Sequence, residues 1–326
     1  MCDQWLQQFG PAWARLDPQL AAVIHTIYSR WVGPPIYELS PAEARLALEQ
    51  LHVFWSAGAP AVPHVEERTI SGISGSMRVR LYDPGVPAPA PTVLFLHGGG
   101  WVLCDIDLYD GVARQLARRS GLRCLSVDYG RAPEHPFPTP VQDCLAAIRW
   151  AAAEGRELGI DPARLVIAGD SAGANLALAT CLALRDGGEP LPRGAALIYG
   201  AFSADEDTPS QRENGGGAYL ISTAEMRWYW DHYVPEPDRK GDVLAAPLTA
   251  DLRGLPPLFV AAAEFDPLRS DSERLRAALE AAGAVVEYRL WRGMSHACLN
   301  LMGWVDAMGP EADRIGAFLR GVATLD

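Results

Sequence analysis

From residue 92 onward the chain alternates short apolar runs with segments of helical period. Runs at 92–96, 122–127, 165–168, 195–199, 257–261 and 285–290 read as strands. Helices are predicted near 108–119, 140–154, 172–185, 271–282 and 306–320, between or after them. Such alternation predicts an α/β fold: a mostly parallel sheet with helices on both faces, whose ligands gather at the carboxyl ends of the strands. Upstream, the alternation across 66–82, broken at Ser74-Gly75-Ser76, predicts an antiparallel hairpin. Two regions lack the strand–helix rhythm. Residues 1 to about 60 carry helical periodicity with prolines and aromatics, and read as helices outside the sheet, either half of a lid or a packing flap. Residues 203–250 carry an acidic stretch, Gly215-Gly216-Gly217 and the aromatic segment from Met226 to Tyr233. They read as an insertion over the strand ends. Its aromatics either wall a pocket or fasten the insertion down, and Trp228, Phe54 and Trp101 are the candidate pocket residues.

Composition narrows the class of partner. The 326 residues are 49% hydrophobic and 21% charged, enough for a large core, and the net charge of −12 repels nucleic acid and anionic membrane surfaces. A small neutral substrate is expected instead. Residues 1–20 contain no basic stretch followed by an apolar run, so neither a signal peptide nor a transmembrane helix is indicated and a cytoplasmic location is expected. The six cysteines, at 2, 104, 124, 144, 181 and 298, form no C-x-x-C pair and read as buried free thiols. Without metal, dinucleotide or nucleoside triphosphate motifs, no metal site and no cofactor are implied.

Chemistry-bearing residues fall just after the strands. Gly169-Asp170-Ser171-Ala172-Gly173 joins a buried run to a helix, and the flanking glycines suit a turn too tight for Cβ atoms. Ser171 is therefore the candidate nucleophile, against the alternative of a helix-capping serine. After the strand at 92–96 comes His97-Gly98-Gly99-Gly100-Trp101, where successive glycines let backbone N–H groups aim at one spot. Gly99 and Gly100, with Ala172, are the candidate oxyanion donors, and Gly98 can share the task. His97 reads as ordering this loop. Asp266, before a proline at the end of a later strand, is the candidate triad acid; Glu264 lies within the strand, and Asp271 belongs to the first turn of the next helix. His296 follows the last predicted strand in a glycine-containing loop. The order Ser171, Asp266, His296 is that of α/β-hydrolases. A neutral imidazole acting as base predicts activity rising through about pH 6 to 7.

These pieces together resemble the hormone-sensitive-lipase-like group of α/β-hydrolases, and within it the bacterial acetyl esterases. The likeness rests on His97-Gly98-Gly99-Gly100-Trp101, Val127-Asp128-Tyr129 with Ala132-Pro133-Glu134-His135-Pro136-Phe137-Pro138, Asp161-Pro162-Ala163-Arg164, Gly169-Asp170-Ser171-Ala172-Gly173, Glu264-Phe265-Asp266-Pro267-Leu268 and His296. It runs from about residue 54 to near the C-terminus, and departs at Gly130-Arg131, where many relatives have Arg-Leu. The resemblance implies an α/β-hydrolase core at 61–202 and 251–326, a two-part helical cap from 1–60 and 203–250, and hydrolysis of short acyl esters. Larger esters, amides or carbamates on the same triad stay open, as does a ligand-binding or regulatory protein of the same fold and the choice between monomer and homodimer.

Overall fold

In the computed structural model, which describes residues 11–31 and 33–325, the six apolar runs and the hairpin lie side by side in one sheet. Its strands are β1 (His64–Ser71), β2 (Ser76–Asp83), β3 (Ala90–Leu96), β4 (Arg123–Val127), β5 (Ile160–Asp170), β6 (Ala195–Ile198), β7 (Leu258–Phe265) and β8 (Val286–Ser295). They follow the order β1-β2-β4-β3-β5-β6-β7-β8, with β1, β2 and β4 paired antiparallel and every other neighbour parallel. Every residue of β4 and β6 is buried, as a sheet covered on both faces requires; β1, at the edge, buries only Ile70.

Helices α1 (Pro18–Arg30), α2 (Pro41–Glu49) and α3 (His52–Trp55) precede the sheet, and α4 (Asp110–Ser120), α5 (Thr139–Ala153) and α6 (Ala172–Asp186) alternate with its strands. Between β6 and β7 the chain forms α7 (Pro209–Asn214) and α8 (Thr223–Tyr233); α9 (Arg269–Ala281) and α10 (Met308–Ala323) complete the core. Side-chain caps explain several helix starts. Asp17 accepts from the amides of Gln19 and Leu20, and Ser40 with Glu43 and Ser222 with Glu225 form reciprocal capping boxes.

Three long-range ties set the ground for the site. Buried Asp143 of α5 accepts from the amides of Ile73 (2.7 Å) and Ser74 (3.1 Å) in the hairpin turn, and from Gly130 (2.9 Å). The Arg45 guanidinium of α2 donates to the carbonyls of Val102 and Ala132, both at 2.8 Å, and to both carboxylate oxygens of Glu134 at 2.7 Å. The Tyr28 hydroxyl of α1 donates to the Gly217 carbonyl (2.7 Å) and accepts from the Leu220 amide (2.9 Å), so the N-terminal helices and the 203–250 segment touch directly.

The last strand is longer than its apolar pattern predicts. Residues 291–295, expected as loop, continue β8 because Gly293, at φ +72°, permits an irregularity opposite Ala263 and Phe265. The Gly293 amide donates to Glu264 Oε2 at 2.9 Å. The five described cysteines are buried and unpaired, whereas Cys2 lies outside the described residues. Among the described residues no helix is long and apolar enough to cross a membrane.

Candidate active site

At the end of β5 the backbone turns so sharply that Ser171 sits at φ 54°, ψ −120°, and α6 starts at the next residue. A Cβ on Gly169 would collide with the Gly173 carbonyl, and one on Gly173 with the Leu96 carbonyl, so both positions require glycine. The strained serine lines a cavity rather than capping the helix, since its side chain makes no cap hydrogen bond.

The ends of β7 and β8 bring the two partners to it. Asp266 Oδ1 accepts from the Leu268 amide (2.7 Å), fixing the carboxylate so that Oδ2 lies 2.8 Å from His296 Nδ1. His296 Nε2 lies 3.0 Å from Ser171 Oγ. With Nδ1–H donating to Asp266, Nε2 carries the lone pair that faces the serine hydroxyl; this tautomer follows from the hydrogen bonds. Burial of the ring opposes its charged form, but the charge and hydrogen bond of Asp266, together with the charges of Asp170 and Glu225, outweigh that, and the His296 pKa lies above its ordinary value. Glu264 and Asp271 make other contacts. Glu264 pairs with Arg15 and accepts from Gly293, while Asp271 Oδ2 accepts from the amides of Phe202 and Ser203, both at 2.9 Å.

Opposite these three side chains, the glycine loop follows β3. Gly99 (φ +109°) and Gly100 (φ +60°) adopt left-handed conformations, and a Cβ on Gly100 would enter the Tyr229 ring. Among the described residues, the N–H groups of Gly99, Gly100 and Ala172 donate to no protein acceptor, and all three residues line the cavity beside Ser171. Gly98 differs from the other two. Its N–H donates to Asp170 Oδ1 at 3.0 Å and is not free for a ligand, which corrects the expectation that it shares the oxyanion task. His97 Nδ1 lies 2.7 Å from the Gly98 carbonyl, and its ring stacks on Tyr129 at 4.3 Å.

Sequence reasoning passed over Asp170. Its other oxygen accepts from the hydroxyls of Tyr109 (2.9 Å) and Tyr199 (3.3 Å), and burial pushes its pKa up to about 6 against those hydrogen bonds. Its place directly before Ser171 was the available signal.

The cavity, about 110 Å³, has mostly apolar walls that include Leu48, Leu103, Ile221 and Met226. Trp101 lines it and stacks parallel on Tyr233 at 4.3 Å. Phe54 and Trp228 do not line it, and their immediate neighbours Trp55 and Tyr229 do. Each correction is one of helical phase. Phe54 turns inward against Trp304, at 5.8 Å, and Trp228 packs on His232, at 4.4 Å, while Met226, Tyr229 and Tyr233 share the buried face of α8. Glu225, also unforeseen, lines the cavity from the first turn of α8. Among the described residues, no group of three acidic, histidine or cysteine side chains could hold a metal ion.

A family model described as the alpha/beta hydrolase fold matches residues 93–300. The chain is 37% identical over 244 residues to the carboxylic ester hydrolase LipN of Mycobacterium tuberculosis, a match covering 73% of this chain and 65%, just under two thirds, of that relative. It is 30% identical over 298 residues to an acetyl esterase of Salmonella paratyphi B, covering 89% of this chain and 90% of the relative. A thermostable esterase from Pseudomonas putida superposes with a TM-score of 0.91 at 31% identity, covering 97% of this chain and 99% of the other.

Proposed function

From the premise that the chain belongs to the alpha/beta-hydrolase family, in its hormone-sensitive-lipase-like group, we propose that it is a carboxylic ester hydrolase that cleaves short-chain acyl esters with Ser171, His296 and Asp266 as its triad. The observation that carries this reading is the continuous hydrogen-bonded line from Ser171 Oγ through His296 to Asp266, facing three amides without protein acceptors.

The Ser171 oxygen attacks the ester carbonyl as His296 Nε2 takes its proton. The oxyanion that forms is held by the N–H groups of Gly99, Gly100 and Ala172. His296 then returns the proton to the departing alcohol, leaving an acyl group on Ser171. Water, deprotonated by the same nitrogen, attacks this acyl-enzyme and releases the carboxylic acid. Asp266 keeps Nδ1 protonated throughout and stabilises the transient imidazolium. Residues 1–60 and 203–250 serve as the two parts of a cap over 61–202 and 251–326. A cavity of about 110 Å³ beside the nucleophile supports a short acyl group.

Two measurements test the reading. Ser171→Ala is expected to reduce hydrolysis of p-nitrophenyl acetate by about 10³-fold or more with unfolding unchanged. Across p-nitrophenyl esters of rising acyl length, kcat/KM is expected to fall beyond about four carbons through steric exclusion. Retained turnover in the variant, or a rate still climbing at eight carbons, would refute the nucleophile or the acyl limit respectively.

A further inference from the structure

Beside the catalytic cavity lies a second, outer groove of about 440 Å³, bounded by α1, residues 33–37 and Gly215-Gly216-Gly217. The two spaces share Ile27, Ile36, Leu51, Leu220 and Glu225 as lining residues, so they meet at that neck. The groove is faced by the aromatic residues Tyr28, Trp31 and Tyr37, and reaches the surface, where Tyr37 is 39% exposed. Its chemistry is one-sided. Among the described residues, no lysine or arginine lines either space, and Glu225 is the single charged residue of the groove.

Glu225 has a hydrogen-bonding oxygen to spare. Its Oε2 accepts from both the amide and the hydroxyl of Ser222 at 2.7 Å, which fixes the carboxylate, while among the described residues Oε1 makes no protein hydrogen bond. Burial raises the Glu225 pKa against the hydrogen bonds from Ser222, and a cation beside Oε1 would hold the carboxylate in its charged form. An apolar neck with this fixed acid and aromatic lining residues favours a cation through charge attraction and ring quadrupoles, and disfavours an anion. The two spaces also divide the substrate by size and access. An acyl group must stay on Ser171 between the two half-reactions and suits the small inner cavity. The alcohol leaves first, and suits the larger groove that opens to solvent.

Resting on the esterase reading above, we propose that the outer groove binds the alcohol portion of the ester, and that Glu225 makes it select alcohols bearing an ammonium group over uncharged or anionic ones. Acetylcholine, the acetate ester of choline, and its uncharged isostere 3,3-dimethylbutyl acetate have nearly the same shape and differ in that charge. The full chain is expected to favour the choline ester in kcat/KM by roughly five-fold or more at low salt. Glu225→Gln, which keeps the capping box, is expected to bring the ratio close to one. Ala224→Trp, which fills the groove, is expected to lower both rates relative to methyl acetate. Direct binding of choline and of 3,3-dimethylbutanol, read by calorimetry in the wild type and Glu225→Gln, gives the same comparison without turnover. A ratio near one in the wild type, a ratio unchanged by Glu225→Gln, or choline binding no tighter than its isostere would overturn the proposal. Failure to hydrolyse any acetate, p-nitrophenyl acetate included, would instead overturn the esterase reading, and choline binding would still decide the role of Glu225.

Discussion

Asp170 Oδ1 accepts a hydrogen bond from the Gly98 amide at 3.0 Å, so the residue before the candidate nucleophile holds the loop that carries the candidate oxyanion donors. The two halves of the site are thereby positioned by one buried side chain. Asp170→Ala leaves the Gly98 amide and two tyrosine hydroxyls without that acceptor, at about 1–3 kcal/mol for each group left unpaired. Expected outcomes are a lowered thermal midpoint and a kcat reduced by about ten-fold or more, with KM changing less. Asp170→Asn, which keeps an acceptor oxygen, should retain more of both. Equal kcat in the alanine variant and the wild type would remove Asp170 from the positioning of the loop.

The pH profile follows from the neighbours of His296. Burial disfavours its charged form, yet Asp266, with smaller contributions from Asp170 and Glu225, outweighs burial and raises the pKa. The base must be neutral, so activity is lost as pH falls through this raised value. The acid limb is therefore expected above the ordinary histidine value of about 6.5, and thus in or beyond the upper half of the window from about 6 to 7 that the sequence alone suggests. Asp266→Asn should lower the limb and reduce kcat by about 10³- to 10⁴-fold. A kcat/KM profile with its acid midpoint below 6 in the wild type would contradict the assignment.

Asp271 should set part of the dependence of stability on pH. Burial pushes its carboxyl up to about 7, against the amides of Ser203 and Phe202 that favour the charged form. In the unfolded chain it titrates at about 3.9, so between these values the folded state holds the extra proton and stability falls as pH rises. Asp271→Asn keeps an acceptor for both amides and should flatten that slope. Thermal midpoints at pH 5 and pH 8 are the measurement; a slope identical to the wild type would assign the effect elsewhere.

Contact between Gly100 and Tyr229 gives a coupled pair. A Cβ on Gly100 would enter the Tyr229 ring, and φ +60° adds about 1–2 kcal/mol for any other residue. Gly100→Ala is expected to cut kcat by about 10²-fold or more by displacing the candidate donor amide. Adding Tyr229→Ala should recover part of that loss, giving a positive coupling in a double-mutant cycle. Simple additivity would show that the ring does not hold the loop.

What could be read from the chain depended on how local the physics was. Strand and helix periods, the elbow glycines and the residues after the strands are local, and Ser171, Asp266 and His296 meet as their order along the chain suggested. The extension of β8 to Ser295 was hidden because Gly293 resembles a loop residue until its φ of +72° is known. Helical phase was missed at Phe54 and Trp228 although Met226, Tyr229 and Tyr233 already spelled the inward face of α8. Gly98 could not be told from Gly99 and Gly100 by type, since an acceptor 72 residues away decides its role.

Arg45 has a consequence for anyone recombining this chain with its relatives. A single guanidinium on α2 satisfies two carbonyls and a carboxylate on the segments that follow the glycine loop and β4. The first fifty residues are therefore not an interchangeable module. A graft that brings a foreign N-terminal segment must also bring a planar five-donor side chain at this point, because a lysine would leave part of that fork unanswered. Compatibility between the N-terminal helices and the core thus includes a demand for one particular side chain, beside the separate ties that Arg15 makes to Glu264 and Gln19 to Asp306.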